Sequence, residues 1–305
     1  NAHSILKIDP VTQHVNTFGR VEGTWMYHGG DVNPNTNLIY AIPANARRVL
    51  KIDPFKETVE DIGPDFGTQP QKWYGGILSK YNNCMYGVPH NATGVLKINP
   101  DTEEISVIGE GLDKGLWKWH GGLVTLDGTK IISFPNNHNS ILIIDVTKDR
   151  VYTIGEGGVL KSGRHRNPHD GKYKYLGGAL TLDGRYAYLF PADAERVLRI
   201  DTLTDEVKCI GPIFFEGWGK YQNGFCSPRD GCVYGIPQRS KSVVRIIPPK
   251  DEGDDEVVDV VYCGDEMLPF KDKFEGGVMV DGIVHCMPLR AKGWLKVIPP
   301  NINQI

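Results

Sequence analysis

Short segments rich in β-branched and aromatic residues recur along the whole chain, and each is closed by glycine, proline or aspartate. Examples are Leu-Ile-Tyr-Ala-Ile-Pro at 38–43, Val-Leu-Lys-Ile-Asp at 49–53 and Val-Tyr-Thr-Ile-Gly at 151–155. Segments of this length and composition are typical of β-strands. No stretch between them shows the 3.6-residue period of an amphipathic helix. The pattern therefore predicts an all-β protein.

A repeat of about 46 residues appears when the second glycine of an aromatic-x-Gly-Gly signal is taken as the landmark. The landmark falls at Gly30, Gly76, Gly122, Gly178, Gly224 and Gly277, with Tyr-Gln-Asn-Gly as the fifth copy and spacings of 46, 46, 56, 46 and 53 residues. A proline follows each of the first five landmarks by 13 residues and the last by 11. Coincident offsets of this kind indicate a repeat architecture.

Each repeat contains four predicted strands, and Asp-Gly at 127–128 and 183–184 marks the hairpin between the first two. Tandem units of four antiparallel strands are the blades of a β-propeller. A linear solenoid is the competing architecture, but its units usually hold one or two strands or a helix pair. The sequence therefore predicts a β-propeller of six blades.

The predicted single domain, 1–305, divides into blades at about 25–71, 72–117, 118–173, 174–219, 220–272 and 273–305. The last blade stops after its third strand, and segment 14–19 could supply the fourth strand and close the ring. Segment 5–9 is then a surplus strand. It either lies outside a six-bladed ring, which we favour, or belongs to a seventh blade whose first two strands precede Asn1. Because the chain starts inside a repeat, we expect a longer precursor.

The blade-building residues resemble those of streptogramin-lyase-like and NHL-like β-propellers. Those proteins carry a Gly-x-Ile-Tyr-x-x-Pro strand and an Ile-Asp-Pro turn, which correspond here to segments 38–43, 85–89 and 52–54. The resemblance covers the chain and implies the propeller fold, but it contains no catalytic signature and transfers no catalytic residue. The sequence also lacks the Gly-x-Ser-x-Gly, His-Glu-x-x-His and phosphate-loop motifs.

The position before the Gly-Gly pair varies between repeats, whereas the strand-building residues recur. It holds His28, Tyr74, His120, Leu176, Gln222 and Glu275. In a propeller this position opens the first strand, at the rim where ligands usually bind. The candidate ligand-binding residues of the central funnel are therefore His28, Tyr74, His120, Gln222 and Glu275. The other interpretation, which we favour from the sequence alone, is that these side chains only fill gaps between blades.

Lysine recurs two residues before that position in five of the six repeats. These residues are Lys72, Lys118, Lys174, Lys220 and Lys273, with Met26 in the first repeat. A ring of ammonium groups would attract an anion. We favour the other interpretation, in which each lysine stem packs over the adjacent aromatic residue and keeps its charge in water.

The loops between the second and third strands are polar and variable, as expected of loops that recognise a polar ligand or a partner. Their candidate binding residues are Arg47, His90, Asn137 and Arg239. The third repeat carries ten extra residues between Gly155 and Lys174, which add the candidates His165 and His169. Two histidines four apart could bind a metal ion on a helix, but Pro168 and nearby glycines disfavour a helix there.

Composition and charge limit the classes of partner that this chain is expected to bind. A net charge of −3 and a pI of about 6.3 give no electrostatic basis for binding nucleic acid or an anionic membrane. No apolar run reaches the roughly 18 residues of a transmembrane helix. Cys226 and Cys232 flank a predicted hairpin and could form a disulfide, although small buried thiols are the favoured interpretation. The sequon Asn91-Ala-Thr is compatible with a secreted glycoprotein.

These features predict a non-catalytic propeller that binds a protein or carbohydrate partner, as a scaffold or one module of a larger assembly, without a cofactor. The alternative is a lyase or hydrolase. In that case His28, His120 and Glu275 would converge around a divalent cation or a polar substrate, as ligands or as acid and base.

Overall fold

The computed structural model describes residues 3–160, 173–214, 217–250, 254–264 and 271–301. Every helix or strand assigned in these ranges is a β-strand, so the all-β prediction is confirmed. In the same ranges no helix has the length and apolar character needed to span a membrane. The chain forms two compact units, one of Asn1–Ile131 with Ile144–Tyr152 and one of Ile132–Ile143 with Thr153–Ile305.

The first unit begins with a two-stranded antiparallel sheet of β1 (Ile5–Ile8) and β2 (Val15–Phe18). The first repeat forms β3 (Tyr27–Val32), β4 (Ile39–Pro43), β5 (Val49–Asp53) and β6 (Thr58–Ile62). The second forms β7 (Trp73–Leu78), β8 (Met85–Pro89), β9 (Val95–Asn99) and β10 (Glu104–Ile108). Each repeat is one four-stranded antiparallel sheet paired in chain order. Segment 14–19 contains β2, which pairs with β1. Its predicted role as the fourth strand of the last blade stays a prediction.

The third repeat forms a sheet whose residues are divided between the two units. Its strands are β11 (Trp119–Val124), β12 (Lys130–Pro135), β13 (Ile141–Asp145) and β14 (Arg150–Ile154). They also follow one another in chain order, so the predicted four-strand repeat is present here as well. The Asp-Gly pair at 127–128 lies in the turn between β11 and β12, where Gly128 has a φ of 80°.

The second unit contains two more four-stranded sheets and one of three strands. The fourth repeat forms β15 (Tyr175–Leu180), β16 (Tyr186–Pro191), β17 (Val197–Asp201) and β18 (Val207–Ile210). The fifth forms β19 (Tyr221–Cys226), β20 (Val233–Pro237), β21 (Ser242–Ile247) and β22 (Val257–Tyr262). The last repeat forms β23 (Phe274–Val280), β24 (Ile283–Pro288) and β25 (Leu295–Val297). The predicted single-domain organisation stays a prediction.

A β-bulge interrupts the first strand at the Gly-Gly signal, for example between Tyr27 and Gly30 and between Tyr221 and Gly224. The first glycine of the pair has positive φ in several repeats, as at Gly75 (67°). The fifth repeat has Asn223 at this place, with a φ of 61°. Asparagine adopts this conformation more readily than other residues with a side chain. The variant Tyr-Gln-Asn-Gly therefore keeps the bulge.

The Gly-Gly pairs also let the first strands of the first unit approach each other closely. A Cβ atom added to Gly29 would lie 2.7 Å from Cα of Gly75, and one added to Gly75 would lie 3.1 Å from Cα of Gly121. Strands β3, β7 and β11 therefore pack backbone against backbone. This packing brings the three residues before the glycine pairs side by side.

The core of each unit lies between the faces of neighbouring sheets. In the first unit a buried cluster includes Tyr40, Ile42, Trp73, Met85 and Leu96. In the second unit, one such cluster includes Tyr188, Phe190, Tyr221, Val233 and Val244. Burial of these apolar faces is the main force that holds the sheets together.

The recurrent lysines are buried, each with 1–3% of its surface exposed. Their ammonium groups donate to loop carbonyl groups: Lys118 Nζ to Ala92 O at 2.6 Å and Lys174 Nζ to Asn137 O at 2.7 Å. Lys72 Nζ donates to Gln69 O at 3.1 Å. The favoured interpretation was therefore wrong in placing these charges in water, whereas packing over the adjacent aromatic residue holds for Lys118, whose Nζ lies 5.7 Å from the centre of the Trp119 ring. The lysines hold the loops at the ends of the strands.

Replacing Lys118 with methionine, the residue of the first repeat, is expected to remove a pH-dependent part of the stability. Burial lowers the pKa of Lys118 to about 8, below the value in the unfolded chain. The unfolded state therefore binds more protons between pH 8 and 10.5, and stability from this group rises with pH in that window. The difference in free energy of unfolding between wild type and Lys118→Met should therefore change by on the order of 2 kcal/mol between pH 7 and pH 10. Chemical denaturation that gives the same stability difference between the two proteins at pH 7 and at pH 10 would contradict this expectation.

Candidate functional site

Four planar side chains of the first unit form one cluster at the start of the first strands. The ring of His28 stacks on Tyr74 with centroids 3.7 Å apart, and Tyr74 stacks on His90 at 4.2 Å. His120 approaches this stack at 4.9 Å from Tyr74, 5.7 Å from His28 and 6.1 Å from His90. We call these four residues the imidazole–tyrosine cluster. Three of the five predicted funnel residues are therefore brought together.

The local structure of the repeat positions each member. His28, Tyr74 and His120 precede the glycine pairs, so the close packing of β3, β7 and β11 aligns them. His90 follows the proline that ends β8, and its backbone is held on both sides by the recurrent lysines. Its N–H donates to Lys72 O, and its carbonyl accepts from the N–H of Lys118, both at 2.9 Å. Sequence reasoning assigned His90 to an open loop, whereas it lies inside the cluster.

The imidazoles of the cluster are kept uncharged. Burial, with smaller contributions from the neighbouring histidines, lowers the pKa of His90 to about 3. Burial and the proximity of His28 lower the pKa of His120 to about 4. At neutral pH both rings are therefore neutral, and each offers one hydrogen-bond donor and one acceptor.

His90 is the least satisfied member of the cluster. Only 3% of its surface is exposed. Neither ring nitrogen makes a hydrogen bond of good geometry within the described part of the chain, although a weaker interaction with the backbone of Gln71 favours the protonated ring. Buried polar groups nearly always have a partner, in the protein, in water or in a ligand. The ring of His90 therefore marks this cluster as a place where a polar group can bind.

The three imidazoles do not form a preorganised metal site. Across the described ranges, no group of three or more His, Cys, Asp or Glu side chains is placed to hold a metal ion. His28 and Tyr74 stack face to face, so the ring face of His28, and not one of its nitrogen lone pairs, is directed at Tyr74. A divalent cation at the funnel stays a prediction.

In the second unit, Gln222 and Glu275 form a polar chain with Gln238. Gln238 Nε2 donates to Gln222 Oε1 at 2.6 Å, and Gln222 Nε2 donates to Glu275 Oε1 at 3.2 Å. Gln222 is buried, whereas Glu275 is exposed. Sequence reasoning missed the role of Gln238. It occupies the same place after the proline of its repeat as His90 does, so the repeat alignment contained the signal.

The remaining loop candidates are anchored by contacts of their own. Arg47 Nε donates to Asp65 Oδ2 at 2.9 Å. Arg239 Nε donates to Asp272 Oδ1 at 2.6 Å, and its guanidinium lies 5.3 Å from the centre of the Trp218 ring. Asn137 holds the ammonium group of Lys174 through its carbonyl. His165 and His169 lie outside the described residues.

Asn91, the residue of the sequon, is built into the fold. Its Nδ2 donates to Pro70 O at 3.0 Å, and its Oδ1 accepts from the backbone N–H of Trp117 at 2.7 Å. The side chain is buried, with only 6% of the residue exposed. A glycan would have to be attached to Nδ2, so this structure removes the sequon as support for a glycoprotein.

The suggested disulfide is absent, because Cys226 and Cys232 are both free thiols. Cys232 is buried, as the favoured interpretation predicted. Burial raises the pKa of Cys226 to about 11 and that of Cys232 to about 12. Thiols with raised pKa values are poor nucleophiles at neutral pH, which agrees with a structural role.

Comparison with solved structures decides the fold. A streptogramin B lyase is 16% identical and matches with a TM-score of 0.63 over 94% of this chain and 84% of its own. The chain is a β-propeller. A catalytically inactive variant of virginiamycin B lyase from Staphylococcus aureus, solved with quinupristin, is 11% identical, with a TM-score of 0.65 over 94% of this propeller and 85% of the lyase. The resemblance predicted from the blade motif is confirmed.

Other similar structures have different roles. A chain of the mitotic checkpoint complex is 8% identical and matches the propeller with a TM-score of 0.64, over 94% of this chain and 78% of that one. No family model matches the sequence. No curated protein matches it either. At these identities the likeness shows the fold alone, so function has to be argued from the site.

Proposed function

We propose that this propeller is a non-catalytic binding module for a protein or glycan partner, and that its recognition site is the imidazole–tyrosine cluster. The observation that carries this proposal is the buried ring of His90, whose two nitrogens make no hydrogen bond of good geometry within the described ranges. The three residues around it occupy a position of the first strand that varies between repeats. Variable side chains on a rigid scaffold are the usual basis of recognition.

The electrostatics of the cluster favour binding over acid–base chemistry. A catalytic base works best when its pKa lies near the working pH. The pKa values of His90 and His120, about 3 and 4, make these imidazoles weak proton acceptors at neutral pH. They are, however, good neutral hydrogen-bonding groups. A similar propeller chain in the mitotic checkpoint complex shows that this fold also occurs within a larger assembly.

A lyase or hydrolase is the second candidate, supported by the two lyases among the similar structures. In this alternative His28 and His120 would act on a substrate bound at the cluster. Substrate binding would then have to raise the pKa of His120, because burial holds it near 4 in the free protein. A negative charge on the substrate, placed beside the ring, could produce such a rise.

The two candidates are separated by following both retention and chemical change of a ligand. Wild type and the double variant His28→Ala/His120→Ala would be tested for binding to arrays of defined glycans. Both would also be cross-linked to proteins of the source organism. His14→Ala, which alters an exposed histidine far from the glycine pairs in sequence, serves as the control. We expect wild type and the control to retain the same ligand, and the double variant to lose about tenfold or more of its affinity.

Mass spectrometry of the released ligand then distinguishes binding from catalysis. A ligand recovered unchanged supports the binding module. A ligand cleaved or eliminated by wild type, and left intact by the double variant, supports the enzyme instead. Equal retention by wild type and the double variant would rule out the imidazole–tyrosine cluster as the recognition site.

A further inference from the structure

One position in each connection between blades combines an unusual backbone conformation with, in several repeats, a large aromatic side chain. It directly precedes the recurrent lysine or Met26, and φ is 54° at Trp25, 54° at Trp117 and 69° at Tyr173. The fifth repeat has Gly219 here, with a φ of 58°. Positive φ favours glycine, and a bulky residue in this conformation is an outlier that carries strain. The backbone therefore does not explain these aromatic residues.

Packing in the core does not explain Trp25 either, because 59% of its surface is exposed. Its side chain borders a cleft of about 350 Å³, which also includes Ile5, Val21, Met26, Tyr27 and His28. We call this the Trp25 cleft. Its volume lies at the lower end of the range for small-ligand sites, which fits one ring-sized group.

The Trp25 cleft is continuous with the imidazole–tyrosine cluster, because His28 belongs to both. At the other end of the cluster, the ring of Trp117 lies 6.4 Å from His90. The indole N–H of Trp117 donates to Gln71 Oε1, which fixes its orientation. A row of planar side chains therefore runs from His28 through Tyr74 and His90 to Trp117, and the Trp25 cleft adjoins its first member.

We propose that the ligand of this row is a carbohydrate, with one sugar ring stacked on Trp25 in the cleft and adjoining hydroxyl groups bound by the imidazoles. This inference rests on the proposed function and names its ligand class. A sugar ring has an apolar C–H face, which suits the face of an indole, and a rim of hydroxyl groups. Hydroxyl groups both donate and accept, as neutral imidazoles do.

The test uses a glycan array of neutral oligosaccharides of glucose, mannose, galactose and xylose, probed with the full chain. Trp25→Gly introduces the residue that the fifth repeat has at the same place, so the backbone conformation is retained. We expect this variant to lose about tenfold or more of the wild-type affinity, as for loss of an aromatic anchor. Its Tm should be equal to or above that of wild type, because glycine relieves the positive-φ strain.

Two further variants complete the design. Trp294→Ala removes another exposed tryptophan, outside the row, and should change glycan affinity less than about twofold. Trp25→Phe keeps a smaller aromatic face and should retain part of the affinity. Absence of binding by wild type to every glycan on the array, or equal affinity of Trp25→Gly and wild type, would overturn the carbohydrate proposal.

The outcome also separates this inference from the proposed function. If the protein binds a protein partner and not a glycan, and His28→Ala/His120→Ala abolishes that binding, the recognition site stands and the carbohydrate proposal fails. If glycan binding depends on Trp25 but not on His28 and His120, the carbohydrate subsite stands and the recognition site at the cluster fails.

Discussion

Replacing Gly76 with alanine is expected to destabilise the first unit by roughly 3 kcal/mol or more. The added Cβ would lie 2.7 Å from Cα of Gly30 and 2.9 Å from Cγ1 of Ile42. The first of these atoms belongs to the backbone of the neighbouring first strand, which cannot move aside as a flexible side chain can. Chemical denaturation, followed by tryptophan fluorescence, should show a lower midpoint or no folded baseline.

The matched control is Gly293→Ala. No atom lies within 4 Å of a Cβ added at this position, outside the residue and its chain neighbours. Its free energy of unfolding should therefore change by no more than about 0.5 kcal/mol. A Gly76→Ala protein as stable as Gly293→Ala would show that β3 and β7 do not pack backbone against backbone. The alignment of His28 with Tyr74 would then have no structural basis.

Acid is expected to destabilise the protein through the imidazole–tyrosine cluster. The pKa of His90 is lowered to about 3 in the folded state, whereas an unfolded histidine titrates near 6.5. Between these values the unfolded state binds the additional proton, so stability falls as pH falls from 6.5 towards 3. At pH 5 this single imidazole should have reduced the free energy of unfolding by about 2 kcal/mol relative to neutral pH. His120 acts in the same direction, because its pKa is also lowered.

The variant His90→Phe isolates this contribution, because phenylalanine can still stack on Tyr74 but cannot be protonated. We expect its stability to fall less than that of wild type between pH 7 and 5, by about 2 kcal/mol. His14→Gln, which removes an exposed histidine, should follow the wild-type pH profile. Identical pH profiles for wild type and His90→Phe would mean that His90 is accessible to protons in the folded state and is not buried in the cluster.

Several features of the site were visible in the sequence. The variable position before each Gly-Gly pair gave His28, Tyr74 and His120, and the structure brings these three together. It also pairs Gln222 with Glu275. These residues could be predicted because they hold a fixed place in a repeat, and the repeat fixes where that place lies in each sheet.

Other features depended on contacts between segments distant in sequence. His90 was predicted in an open loop, but the backbone groups of Lys72 and Lys118 hold it inside the cluster. Asn91 was predicted as a surface sequon, but its side chain caps the residue before Lys118 and is buried. The lysines were expected in water and are instead bound to loop carbonyl groups. Burial of a polar residue depends on what covers it, which local sequence does not specify.

The sequence by itself determined the class of fold. Fixed offsets of glycine, proline and aspartate set the length of each strand and the position of each turn, since these residues act through their own backbone preferences. Only the tertiary structure decided which side chains form the site and in what state of charge. The stack of His28, Tyr74 and His90 and the low pKa values of its imidazoles arise from the approach of neighbouring sheets. Packing between sheets, unlike a turn, is a property of residues brought together from different repeats.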